Sequence, residues 1–268
     1  MRVIGTIAFL LLTACSKAPE RAQAAQPAEI TFEGAKVTEA SARIAHGERL
    51  ARVLGCRGCH GQDLRGQRFY ELYASNLTRD VPKYSDAQLE RLIRHGERTD
   101  GKNVWAMPSE IFQHLSDSDY SAVVDYLRSL KPGGAPTQPR LPWEPDALEM
   151  IRSGKILPAA QSVVRDRSKV PFDAGPQYAL GRYITMVTCA ECHGAELSGG
   201  DDTPDLVTAG GYSREEFETL ITKGVPNGGR KFKNPLMGQV ARNRFSRLTP
   251  KERDSLYAYL KARAERPQ

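Results

Sequence analysis

Two short strings carry the reactive residues of this chain: Cys56-Arg57-Gly58-Cys59-His60 and Cys189-Ala190-Glu191-Cys192-His193. In a C-x-x-C-H spacing the two thiols can add across the vinyl groups of a haem, and the adjacent imidazole can bind its iron. Two thiols and one imidazole also suit zinc, and a single copy would leave that open. Two copies, each opening a matching stretch of sequence, point to two covalently attached haem c groups with His60 and His193 as iron ligands.

A second axial ligand has to come from elsewhere. Met107 follows His60 by 47 residues and Met237 follows His193 by 44, each between a capped helix and the last helix of its stretch. That matching place selects them as thioether ligands, whereas Met150 and Met186 read as core filler. His46, His95 and His114 have no counterpart in the other stretch and are expected to be solvent-facing or in loops.

The remaining cysteine, Cys15, ends a short basic and then apolar start (Met1-Arg2, then Val3 to Leu12) closed by Leu12-Thr13-Ala14. Such a run is too short to cross a bilayer core of ~30 Å and reads as a signal-peptide core. The Leu-Thr-Ala-Cys ending resembles the bacterial lipoprotein signal, which implies lipidation of Cys15 and anchoring to the periplasmic side of a membrane. Ser16 stands where an inner-membrane protein would carry aspartate, which leans towards the outer membrane. Every cysteine is then used, and none is left for a disulfide.

The formal charge is +6 over 268 residues, far short of the basic excess that nucleic-acid binding needs. The basic residues are uneven. Thr219 to Lys251 holds Lys223, Arg230, Lys231, Lys233, Arg242, Arg244, Arg247 and Lys251 with no acidic residue. This run surrounds Met237 and suggests an acidic redox partner docking on that side through a charge-steered surface.

Around these residues the chain divides into a signal peptide (1–14), a flexible tether (15–36), a first domain (37–131), a Pro-rich linker (132–171) with one short helix near Asp146–Ser153, and a second domain (172–268). The two domains repeat each other. Each begins with a helix, Ala42–Leu54 or Gln177–Val187. After the motif come Gly61, Leu64 and Gly66 in one copy and Gly194, Leu197 and Gly199 in the other. Capping boxes follow at Ser85–Gln88 and Ser213–Glu216, and those helices stop at Gly96 and Gly224. The last helices start at Ser116 and at Thr249-Pro250-Lys251-Glu252. The linker is expected to wrap along the domains rather than hang slack.

The pattern from Gly47 to Leu130, repeated from Gly181 to Leu260, resembles the class I cytochrome c fold. The resemblance implies an all-α tandem duplication, each domain wrapped around one covalent haem, with Gly47 and Gly181 at the helix crossing opposite Tyr126 and Tyr259. Asn76-Leu77-Thr78, Ile93-Arg94-His95-Gly96, Met107-Pro108 and Val124-Asp125-Tyr126-Leu127 are similar to cytochrome subunits of bacterial periplasmic dehydrogenases. This implies a non-enzymatic carrier that passes single electrons between a dehydrogenase, or another donor, and the respiratory chain through His/Met haems. A dihaem peroxidase is the alternative. It would need an open distal position with acid–base groups beside it, for which His95 and His114 are the only candidates.

Overall fold

The computed structural model describes residues 28–200, 202–229, 232 and 235–266. The signal sequence, Cys15, Arg230, Lys231 and Lys233 therefore lie outside the described residues.

In the first half, α1 (Ala40–Val53) is capped by the Glu39 carboxylate, which accepts from the Ser41 and Ala42 amides. Gly55, at φ 85°, turns the chain into the motif helix α2 (Cys56–His60). An antiparallel hairpin follows, β1 (Gln67–Phe69) on β2 (Leu72–Ala74), with Arg68 opposite Tyr73. Helices α3 (Leu77–Asp80), α4 (Asp86–His95), α5 (Ser109–Phe112) and α6 (Asp117–Ser129) complete the unit. The Ser85–Gln88 capping box forms, and α4 ends at left-handed Gly96. The linker holds α7 (Pro145–Arg152) and α8 (Ala159–Asp166).

The second half begins with α9 (Ala179–Ile184), which runs through a π turn (Thr185–Cys189) into the motif helix α10 (Ala190–His193). Thr188 stands at the turn and donates to the Ile184 carbonyl at 2.6 Å. The first copy makes the corresponding bend with a glycine instead. Helices α11 (Arg214–Lys223), α12 (Leu236–Asn243) and α13 (Pro250–Ala264) follow, and both expected capping boxes are present. The architecture is all-α, with the hairpin as the only sheet among the described residues.

Each domain is organised by one helix crossing. A Cβ on Gly47 would lie 1.9 Å from the Ala122 carbonyl oxygen and 2.8 Å from the Tyr126 Cβ. On Gly181 it would lie 2.1 Å from the Ser255 carbonyl oxygen and 2.5 Å from the Tyr259 Cβ. Only glycine lets α1 meet α6, and α9 meet α13, this closely.

Three expectations need correction. Residues 28–36, read as part of a tether, are docked through Phe32, although most of them stay exposed. Phe32 is fully buried, edge-on to Tyr183 of the second domain with ring centroids 5.5 Å apart, a burial worth about 2–3 kcal/mol. The amides of Phe32 and Glu33 donate to the buried carboxylates of Asp119 (3.0 Å) and Glu252 (2.9 Å). These are the third residues of α6 and α13, so a single strap closes the matching ends of both domains. His46 is buried rather than solvent-facing, with Nε2 3.1 Å from Asp119. Asp119 also accepts from the Ser116 hydroxyl at 2.9 Å and from the Tyr183 hydroxyl at 2.8 Å. That cluster of partners removes the desolvation penalty of a wholly buried carboxylate.

The third correction concerns the linker, which wraps as expected but holds two helices rather than one. Its start is tied down by buried Asn76, whose side-chain amide donates to the Gly133 and Ala135 carbonyls, each at 2.8 Å. Helix α8 buries Ala159 and Val163 on the first domain, and the Ala159 amide donates to the Val104 carbonyl at 2.8 Å.

Candidate haem sites

The turn after each motif is built the same way. The Gly66 amide donates to the His60 carbonyl and the Gly199 amide to the His193 carbonyl, both at 2.9 Å. Leu64 and Leu197 both adopt left-handed backbone, at φ 60° and 62°. That conformation costs a leucine about 1–2 kcal/mol, offset by near-complete burial of both side chains. Their carbonyls accept from the Leu77 and Leu206 amides at 2.9 and 3.0 Å.

This turn aims the histidines. His60 Nδ1 lies 2.8 Å from the Ser75 carbonyl oxygen, and His193 Nδ1 lies 2.8 Å from that of Pro204. A carbonyl can only accept, so Nδ1 carries the proton and Nε2 is left with its lone pair for a metal. Burial pushes both imidazoles below the ordinary histidine range, partly countered by the carbonyl contact. The neutral imidazole is the form able to bind a metal.

In the first domain Cys56, Cys59, His60 and Met107 line one cavity of about 1120 Å³, with Leu77 and Phe112 among its apolar walls. The donor set and the size fit a macrocycle with its iron. Met107 is presented by a strained loop in which Ala106 is left-handed at φ 57° and Pro108 caps α5. The linker closes this cavity as well. Trp143 and Arg140 line it, and Trp143 packs edge-on to Trp105 at 5.3 Å, with the Arg140 guanidinium 4.8 Å from the Trp143 ring centre.

In the second domain Cys189 and His193 are buried and Cys192 is exposed. Met237, half-buried against the core, stands in the first turn of α12 rather than in a loop. The proline explains the difference. Pro108 follows Met107, so α5 starts beyond the methionine, whereas Pro235 precedes Met237 and α12 starts before it.

His95 is exposed and His114 half-buried, with its pKa pushed down by burial. Neither lines the cavity. The basic run is partly spent inside the fold. Lys251 pairs with Glu33, Arg242 donates to the Lys223 carbonyl, and Arg244 lies at the seam between the domains, bonded to Glu191 and to the Val53 carbonyl. Arg244 and Glu191 carry no signal in the repeat: both lie in the second domain, and the bond that crosses the seam, from Arg244 to the Val53 carbonyl, has its acceptor far along the chain. The Asp119 cluster was hidden for the same reason.

Residues 178–264 match the family described as Cytochrome c, and residues 42–127 match Cytochrome C oxidase, cbb3-type, subunit III. The alcohol dehydrogenase (quinone) cytochrome c subunit of Gluconacetobacter polyoxogenes is 24% identical over 244 residues, covering 83% of this chain and 48% of that protein. The fructose dehydrogenase cytochrome subunit of Gluconobacter japonicus is 27% identical over 171 residues, 56% of this chain and 34% of that protein. The cbb3-type cytochrome c oxidase subunit CcoP of Helicobacter pylori (strain 52) is 31% identical over 97 residues, 36% and 31% of the two chains. The chain spans about half or less of the length of these curated relatives. It comprises two cytochrome c domains, and two such domains imply two covalently bound haem c groups with their iron.

Proposed function

We propose that these two cytochrome c domains form a periplasmic-facing carrier that relays single electrons from a dehydrogenase, or another donor, towards the respiratory chain. When bound, each haem c supplies a one-electron iron couple. The chain's own residues do the rest. Cys56 and Cys59, and Cys189 and Cys192, supply the sulfurs of the thioether links. His60 and His193, each held in one tautomer by its carbonyl contact, would bind the iron through Nε2. Met107 and Met237 would supply the second ligand of each haem; thioether ligation would favour the reduced state and leave no position for peroxide.

The observation that carries this reading is the duplicated histidine geometry, with a half-buried methionine at the corresponding place of each copy. The test is optical. Two low-spin haems, each with a methionine-to-ferric charge-transfer band, are expected; a high-spin signal or peroxide turnover would favour the peroxidase. His95 and His114, the acid–base candidates for that alternative, are absent from the cavity lining.

A dehydrogenase as partner is supported by the relatives, which are cytochrome subunits of alcohol and fructose dehydrogenases. Co-purification of the native protein with its donor tests this. An acidic partner on the Met237 side remains part of the proposal. Charge reversal at Arg230, Lys231 and Lys233 is expected to slow electron exchange and flatten its salt dependence. Lipidation of Cys15 would provide the anchor, preferentially in the outer membrane, and mass spectrometry of the native N-terminus tests it. No described helix is long and apolar enough to cross a membrane.

A further inference from the structure

Arg244 leaves the end of α12 and reaches across the seam between the domains. Its Nε donates to the Val53 carbonyl at 3.0 Å, and its Nη1 donates to Glu191 Oε2 at 2.6 Å. The guanidinium lies against the backbone just before Cys56: a Cβ on Gly55 would sit 2.8 Å from Arg244 Cζ. Gly55 owes its glycine to the left-handed φ of 85°, and the missing side chain leaves room for the guanidinium beside it. Glu191 stands between Cys189 and Cys192, yet it lines the first domain's cavity together with Cys56 and Cys59. The two haem-attachment turns therefore face each other with one ion pair between them.

That pair is well placed to act on both sites. The Arg244 side chain is 12% exposed and that of Glu191 is 29%, so water screens them only in part. Arg244 Nη2 is buried without a hydrogen-bond partner, a donor held in the seam that neither domain alone explains. The pair adjoins both attachment turns: Glu191 stands within the second motif, and the Arg244 guanidinium lies against Gly55, the residue before the first.

We infer that Arg244 and Glu191 are one charge pair shared by the two redox sites, so that the potentials of both haems are set together at the domain seam. They are positioning residues that touch neither iron, and the inference rests on the two-haem carrier proposed above. Loss of an electron adds one positive charge to a haem site. A guanidinium beside it opposes that change and raises the potential, whereas a carboxylate favours it and lowers the potential. A purely structural Arg244, tied to the Val53 carbonyl of the first domain, would hold the domains together without this effect.

The experiment is a spectroelectrochemical titration of the full-length protein carrying both haems. In Arg244→Gln both midpoints are expected to fall, each by at least a threefold change in the oxidised-to-reduced ratio at fixed potential, about 30 mV for a one-electron couple. In Glu191→Gln both rise, the double variant returns towards the parent, and Arg244→Lys, which keeps the charge, stays close to it. Movement of one midpoint only, or of neither, in variants that keep their parental spectra overturns the inference. If Arg244→Gln fails to fold or to take up haem, Glu191→Gln decides: both midpoints must rise. Absence of the charge-transfer bands in the parent protein would sink the His/Met assignment instead, and the paired shifts would remain readable.

Discussion

In the first domain a proline follows the candidate ligand methionine; in the second a proline precedes it. From that exchange come two different supports for one thioether. Met107 hangs in a loop that needs a left-handed alanine and is closed over by Trp143 of the linker. Met237 rides on the first turn of a helix seated against the Gly224 cap, where a Cβ on Gly224 would lie 2.4 Å from the Gly238 carbonyl oxygen. The histidine side of each site is built from matching hydrogen bonds of near-equal length. Duplication has kept the half of the site that must hold an imidazole in one tautomer and has let the other half diverge. A thioether on a long flexible side chain can be delivered from more than one backbone.

The strongest way to break what the domains share is at their helix crossings. Gly47→Ala and Gly181→Ala each force a methyl group onto a backbone carbonyl, and each is expected to cost about 3 kcal/mol or more, read by chemical denaturation. A loss below 1 kcal/mol in either would mean that its crossing can open.

Next come the buried carboxylates. Asp119→Ala strands Tyr183, Ser116 and His46, and Glu252→Ala strands Arg49, which donates to it at 2.8 and 3.0 Å. Each should cost about 2–4 kcal/mol. Asp119→Ala should additionally speed amide exchange around Tyr183 in the second domain; protection there unchanged from the parent protein would contradict its bridging role.

A sharper comparison comes from the ligands. Met107→Leu should remove one of two charge-transfer bands and lower one midpoint, and Met237→Leu should remove the other. If either variant leaves both bands intact, that methionine is not a ligand.

The smallest effect is expected at the strap. The Thr249 hydroxyl, followed by Lys251 and Arg49, holds the Glu33 carboxyl below the usual glutamate range. A carboxyl depressed in the folded state stabilises above its unfolded pKa of about 4.3 and loses that contribution as pH falls through the folded value. Because Glu33 is partly exposed, Glu33→Gln should lower the melting temperature by only about 2 °C at neutral pH. The difference should vanish in acid; a gap that persists there would show the charge to be irrelevant.

What could be read from the chain was whatever repeats or acts within a few residues. Ser85–Gln88, Ser213–Glu216 and Thr249–Glu252 announce helix starts because both partners lie within one turn. Gly47 and Gly181 were legible only through the resemblance to the class I cytochrome c fold, which implies a crossing in each copy. The strap escaped because Phe32 owes its burial to Tyr183, far along the chain, and its neighbours are compositionally a tether. His46 escaped for the same reason, since nothing near it reveals Asp119. Helix α8 was obscured by the prolines on either side, although Ala159 and Val163, four apart, form its buried stripe.

The facing of the two attachment turns also constrains the order in which the molecule can be made. Cys189 is already buried in the finished structure, and Arg244 lies against Gly55, the residue before Cys56. Machinery that forms thioether bonds needs room around each sulfur. On the two-haem reading, attachment at Cys189 therefore precedes the close packing that buries its sulfur, so the second domain finishes folding around a cofactor already in place.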